Sequence, residues 1–137
     1  MNPKYMLDTN ICTYLMKHQP PEVRERFAQC FVGDVVISAV TLAELEFGIA
    51  CSSPSAQESN WSALESLLED IMVAPFEAQA AKAYGPIHAT YKDRNRDALD
   101  KLIASHAIAL GVTLVTNNEA DFVNCAGLPV ENWVSNH

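Results

Sequence analysis

The chain has 137 residues and is 49% hydrophobic, enough for one domain with a packed core and too little for two ordinary ones. Seventeen acidic side chains against nine basic ones leave a net charge of −8. That balance argues against a sequence-independent grip on a phosphate backbone and suits a basic partner protein. Carboxylates gathered around divalent metal ions are the exception, because the bound cations cancel the repulsion. No apolar run approaches the roughly 18 residues of a membrane span. Met1-Asn2-Pro3-Lys4 is not followed by the apolar stretch of a secretory signal. Cys12, Cys30, Cys51 and Cys125 are scattered, with no CxxC or Cys/His spacing, a usage that fits a reducing cytoplasm and points away from zinc.

Tyr5-Met6-Leu7 reads as a short buried strand, and Asn10 to Met16 as a short helix. Pro20-Pro21 opens a second helix over Glu22 to Cys30, since proline is tolerated in a first turn. Asp34 to Ser38, rich in β-branched residues, is the second strand. Thr41 to Ala50 is helical, with Leu42, Leu45, Phe47 and Ile49 forming much of its apolar surface. "CSSPSAQES", from Cys51 to Ser59, reads as a loop, and a long helix follows over roughly Gln57 to Asp70. Ile71 to Ala74 is a candidate third strand. Phe76 to Lys92 is an alanine-rich helix kinked at Gly85-Pro86. Asp97 to Leu110 is a strong helix ended by Gly111. Val112 to Thr116 is the best strand in the chain, followed by a polar turn, a short helix and a last short strand near Pro129 to Glu131. Short apolar strands separated by helices predict an α/β fold with a central, mainly parallel sheet of about five strands. Ligands in such folds bind beyond the carboxyl ends of the strands.

Acidic residues stand at those ends. Asp8 follows the first strand, where it serves equally as a helix N-cap. Glu44 lies in the helix after the second strand, a position a solvent-facing glutamate also fills. Asp97 and Asp100, three apart, share one helix face. Asp97 fits a first-turn acid, whereas Asp100 sits beside Leu99, Leu102 and Ile103 on an apolar helix. After the best strand come Asn117, Asn118, Glu119 and Asp121, of which the asparagines are also ordinary turn formers. Carboxylates converging at one sheet edge repel one another and have raised pKa values unless a cation neutralises them. Oxygen ligands without clustered Cys or His select Mg²⁺ or Mn²⁺. His106, at mid-helix among alanines, reads as a packed histidine rather than a general base.

"MLDTN", the glutamate of "TLAELEFG", "LDKLIASHA" and "LVTNNEADF" followed by "GLPVENW" occur in that order over nearly the whole chain. Together they resemble the PIN-domain ribonucleases, and more narrowly the VapC toxins of bacterial type II toxin–antitoxin pairs. The resemblance implies a PIN-like fold and a Mg²⁺- or Mn²⁺-dependent endoribonuclease that leaves 5′-phosphate and 3′-hydroxyl ends. It implies Asp8, Glu44, Asp100 and Asp121 as the acidic site, with Asp8 and Asp100 as metal ligands and Thr9 and Asn118 as supporting polar groups. Many members carry a Pro-Ile-Gly-like turn before the third acid where this chain has "RNRDAL". Asp100 is preferred there because "DxLIAxHA" aligns without a gap, with Asp97 as a supporting acid. Glu119 competes with Asp121 for the fourth position. The densest basic group, Lys92, Arg94 and Arg96, lies just before these acids as a candidate phosphate grip. The resemblance further implies a homodimer, transfer RNA among the expected substrates and a VapB antitoxin whose basic segment would suit an acidic cleft. A PIN-like module that binds RNA or a partner without cutting is the alternative. The single acid of "LDTN" lacks the acidic pair of a receiver domain and the D-x-D of a haloacid-dehalogenase-like phosphatase.

Overall fold

A computed structural model describes residues 2–91 and 98–135 of the chain. The elements run β1 (Tyr5–Leu7), α1 (Thr9–Lys17), α2 (Pro21–Ala28), β2 (Val35–Ser38), α3 (Ala39–Ala50), α4 (Pro54–Asp70), β3 (Met72–Ala74), α5 (Ala78–Ala89), α6 (Ala98–Leu110), β4 (Thr113–Val115), a 3₁₀ turn (Glu119–Phe122) and β5 (Val130–Glu131). The five strands form one parallel sheet in the order β3-β2-β1-β4-β5.

Side chains alternate across this sheet as the two-residue period of a strand requires. Leu7, Val35, Ile37 and Val115 point to one face and pack with Ile11, Leu15, Val23, Leu45, Leu64 and Leu67 from α1 to α4. Met6, Val36 and Leu114 point to the other and pack with Ile87, Ile103, Ala104, Ala107 and Phe122. Both faces are thus covered by helices, which is why the strands read as apolar runs rather than alternating ones.

Three expectations need correction. "CSSPSAQES" is mostly helix: α4 begins at Pro54, with Ser53 as its N-cap residue. Proline at the first helical position loses nothing there, and Gln57 Nε2 reaches back to the carbonyls of Ala50 and Ser52 at 3.3 and 3.2 Å, closing the end of α3. Phe47 is 71% exposed. The buried positions of α3 are Thr41, Leu45 and Ile49, four apart on one face, and Phe47 falls between them on the other side of the helix. Helix α5 is shorter than expected and continues through Pro86. Gly111, with φ +69°, ends α6 as its sequence position suggests.

Strand order decides where a ligand sits. From β1 the chain proceeds through β2 and β3 on one side, then crosses to β4 and β5 on the other. The order reverses between β1 and β4, and at such a switch point doubly wound sheets bind ligands in a crevice outside the carboxyl ends of the strands.

Candidate active site

Asp8 stands at that switch point. It leaves β1 in an extended conformation and caps α1, its Oδ1 accepting the Thr9 N–H at 2.8 Å. Its main-chain N–H continues the sheet to Val115 O at 2.8 Å. Its Oδ2 accepts from the Thr116 hydroxyl, also at 2.8 Å, across 108 residues of sequence. Thr116 is wholly buried, and its Oγ1 in turn accepts the Asn118 N–H at 3.0 Å. A relay therefore runs from the Asn118 backbone through Thr116 to Asp8. Asp8 caps α1 and stands at the switch point at once, so the cap does not exclude a place in the site.

Thr9 joins the second acid to the first. Its hydroxyl donates to Glu44 Oε1 at 2.6 Å, while its backbone N–H holds Asp8. Glu44 is carried one and a half turns into α3 and is half-buried. Asp8 is only 3% exposed, and that burial pushes its pKa above the ordinary 3.8. The bonds from Thr116 and Thr9 pull it down, and the charges of Glu44 and Asp121 push it up again. Three carboxylates are thus close enough to repel, as converging acids should. Among the described residues no lysine or arginine forms an ion pair with any of the three.

Asp121 lies in the 3₁₀ turn after β4 and is exposed. Its competitor Glu119 accepts from Asn132 Nδ2 at 3.1 Å through Oε2, whereas the Asp121 charge acts on Asp8. Asp100 is half-buried in the first turn of α6, and it and Asp121 both act on the Tyr91 hydroxyl. Asp121 is thus the carboxylate common to the Asp8–Glu44 side and the Asp100 side. Asp97, Lys92, Arg94 and Arg96 lie outside the described residues.

Several neighbours were not foreseen. Thr116 carried no signal beyond being the last residue of the strongest strand. Lys101, next to Asp100, is 4% exposed, its Nζ 4.1 Å from the centre of the Tyr91 ring. Tyr91 OH lies 3.1 Å from Cys125 Sγ. Asn117, which the sequence does place at the carboxyl end of β4, ties that end to α1 and to the residue after β5: its N–H donates to Asn10 Oδ1 at 3.3 Å, its Nδ2 to Tyr14 OH at 3.0 Å, and its Oδ1 accepts from Asn132 Nδ2 at 3.3 Å.

The donor set fits a hard divalent cation. It offers only oxygen, its innermost member is a buried carboxylate with raised pKa, and neighbouring negative charges stand around it. Among the described residues no three Asp, Glu, His or Cys side chains are grouped so as to cage an ion alone. Mg²⁺ needs no such cage, since it binds through one or two carboxylates and keeps several waters.

Residues 5–128 match the PIN domain family. The tRNA(fMet)-specific endonuclease VapC of Shigella flexneri is 39% identical over 132 residues, covering 95% of this chain and 98% of its own. Ribonuclease VapC2 of Rickettsia felis is 36% identical over 132 residues, covering 94% and 97%. Among solved structures, DNA-bound VapBC from Salmonella typhimurium superposes with a TM-score of 0.86 at 35% identity, covering 96% of this chain and 99% of the other. VapBC2 from Rickettsia felis, bound to a DNA fragment from its promoter, gives 0.84 at 34% identity, covering 95% and 98%. With a buried aspartate at the sheet's switch point and full-length relatives of this kind, the chain belongs to the VapC ribonucleases of the PIN-domain family.

Proposed function

We propose that this protein is the toxin of a VapB–VapC pair, an endoribonuclease of the cytoplasm that hydrolyses transfer RNA with the help of Mg²⁺ or Mn²⁺ and is held inactive by a VapB-type antitoxin. The observation that carries the reading is the Asp8–Thr9–Glu44 connection at the switch point, with Asp121 in electrostatic reach of Asp8. The substrate class rests on the tRNA(fMet)-specific relative, and the antitoxin on the VapBC complexes of like fold.

Asp8 and Asp100 are proposed to hold the metal, with Glu44 and Asp121 completing the acidic site. Held there, such an ion would supply a water of lowered pKa and stabilisation of charge on the leaving oxygen of the phosphodiester. The protein's own part is orientation. Thr116 and the Thr9 N–H hold the two oxygens of Asp8 from opposite sides, so the carboxylate has one rotamer. Thr9 occupies Oε1 of Glu44 and leaves Oε2 uncommitted among the described residues. Water adds across the P–O3′ bond, which yields a 5′-phosphate and a 3′-hydroxyl. The basic group Lys92, Arg94 and Arg96, immediately before Asp100 in sequence, supports a phosphate grip on the RNA.

The test is cleavage of a purified transfer-RNA pool by wild type and Asp8→Asn, each with Mg²⁺ and with EDTA, with the new ends mapped. Cuts made only by wild type with metal, leaving 5′-phosphates, are expected. Equal cutting by Asp8→Asn, or cutting in EDTA, would overturn the assignment. Stoichiometric RNA or partner binding without cleavage, on ribosomal and messenger RNA as well, would favour a binding module.

A further inference from the structure

His106 is a buried titratable group outside the acidic site, 1% exposed at mid-length of α6. Nδ1 lies 2.8 Å from Ser38 Oγ. Ser38 Oγ also accepts the Val40 N–H at 3.0 Å, so the side chain that caps α3 is the one that meets the imidazole. Burial pushes the His106 pKa below its usual value, against the pull of the Pro75 carbonyl and Glu77. Phe76 meets the ring edge-on, with centroids 5.3 Å apart.

The two anchored points are the N-cap of α3 and α6 itself. Helix α3 carries Glu44, six residues beyond Ser38. Helix α6 carries Asp100, six residues before His106. At a rise of about 1.5 Å per residue, each acid sits roughly 9 Å along its helix from the tie. We propose that His106 is a positioning residue for the acidic site: by pinning the Ser38 cap to α6, it sets where Glu44 and Asp100 stand relative to each other. This rests on the reading that both carboxylates serve the same site. Such supporting partners commonly govern metal affinity and rate without touching either metal or substrate.

The test uses His106→Phe, which keeps a ring but loses both nitrogens, and His106→Asn, whose side-chain amide can still hydrogen-bond Ser38 Oγ. Two quantities are measured on the full chain: Mn²⁺ affinity by calorimetry, and kcat and KM on an initiator transfer-RNA transcript. His106→Phe is expected to weaken Mn²⁺ binding about tenfold and lower kcat by roughly ten- to a hundredfold, with KM within about twofold. His106→Asn should recover much of both. Wild-type Mn²⁺ affinity and kcat in folded His106→Phe would overturn the proposal, as would His106→Asn performing no better than Phe. Should His106→Phe fail to fold, Ser38→Ala removes the same bond from the other helix, and unchanged values there would overturn it equally. If wild type binds Mn²⁺ yet leaves transfer RNA uncut, the substrate assignment fails while the Mn²⁺ affinities still decide the role of His106.

Discussion

Thr116→Val isolates a contact on which the site depends. Valine matches threonine in shape, so no cavity opens, and only the hydroxyl is lost. That hydroxyl donates to Asp8 Oδ2 at 2.8 Å and accepts from the Asn118 N–H at 3.0 Å, in a position fully shielded from water. A hydrogen bond to a charged acceptor contributes about 1.5–3 kcal/mol, and a part-buried amide left without its acceptor costs about 1 kcal/mol more. The expected loss is about 2–4 kcal/mol. For a chain of 137 residues, 1 kcal/mol corresponds to about 3–4 °C, so Tm should fall by about 7–14 °C. The effect has a pH signature. The folded-state pKa of Asp8 is raised above 3.8, so the native state binds the proton more tightly than the unfolded chain. Asp8 therefore costs stability as pH rises from about 3.8 through its folded value, and the full cost applies above that value. Because the Thr116 bond lowers that pKa, removing it raises the folded value further and deepens the cost. The difference in Tm between wild type and Thr116→Val should thus be largest at neutral pH and shrink below 3.8, where Asp8 is protonated in both states. The assay is thermal unfolding across this pH range in EDTA. A neutral-pH difference under about 2 °C, or one independent of pH, would refute the account.

Two further substitutions probe the molecule away from the acids. Arg26 donates to Tyr5 OH at 3.2 Å, pairs with Glu131 at 3.0 Å, and lies over the Tyr5 and Trp133 rings at 5.6 and 5.4 Å. The ion pair is over one-third exposed and contributes little, whereas each cation–π contact adds about 0.5–1 kcal/mol. Arg26→Met should cost about 1–3 kcal/mol in denaturant titration and leave RNA cleavage unchanged, since Tyr5 lies at the far end of β1, about 10 Å from Asp8. Thr41 is completely buried and its Oγ1 has no hydrogen-bond partner among the described residues. Thr41→Val should be neutral or stabilising by about 1 kcal/mol, and a clear fall in Tm would show that the hydroxyl binds an ordered water.

Much of this protein is legible in local sequence, because strands and helices are encoded by short-range periodicity and by terminal residues. The run Val35-Val36-Ile37 has no place but a strand buried on both faces, and Gly111 has the freedom α6 needs to stop. Misreadings arose where local chemistry was ambiguous. Ser52-Ser53-Pro54-Ser55 is turn-forming by composition, yet the same serine and proline begin a helix once Gln57 caps the preceding one. Phe47 reads as part of the apolar surface of α3 because apolar residues surround it in sequence, but helical spacing turns it away from the buried face.

The acids themselves were visible as residues at strand ends. Their relation was not. Whether Asp8 caps a helix or holds a cation is undecidable from "LDTN", because the identity of its second partner depends on which strand lies beside β1. Only the strand order β3-β2-β1-β4-β5 brings Thr116 to Asp8, and only the turn after β4 brings the Asp121 charge within electrostatic reach of it while Asn132 engages Glu119. Pairings across a hundred residues leave no periodic trace in the chain. They follow from burying both faces of a parallel sheet under crossover helices, a condition that applies to the whole fold at once.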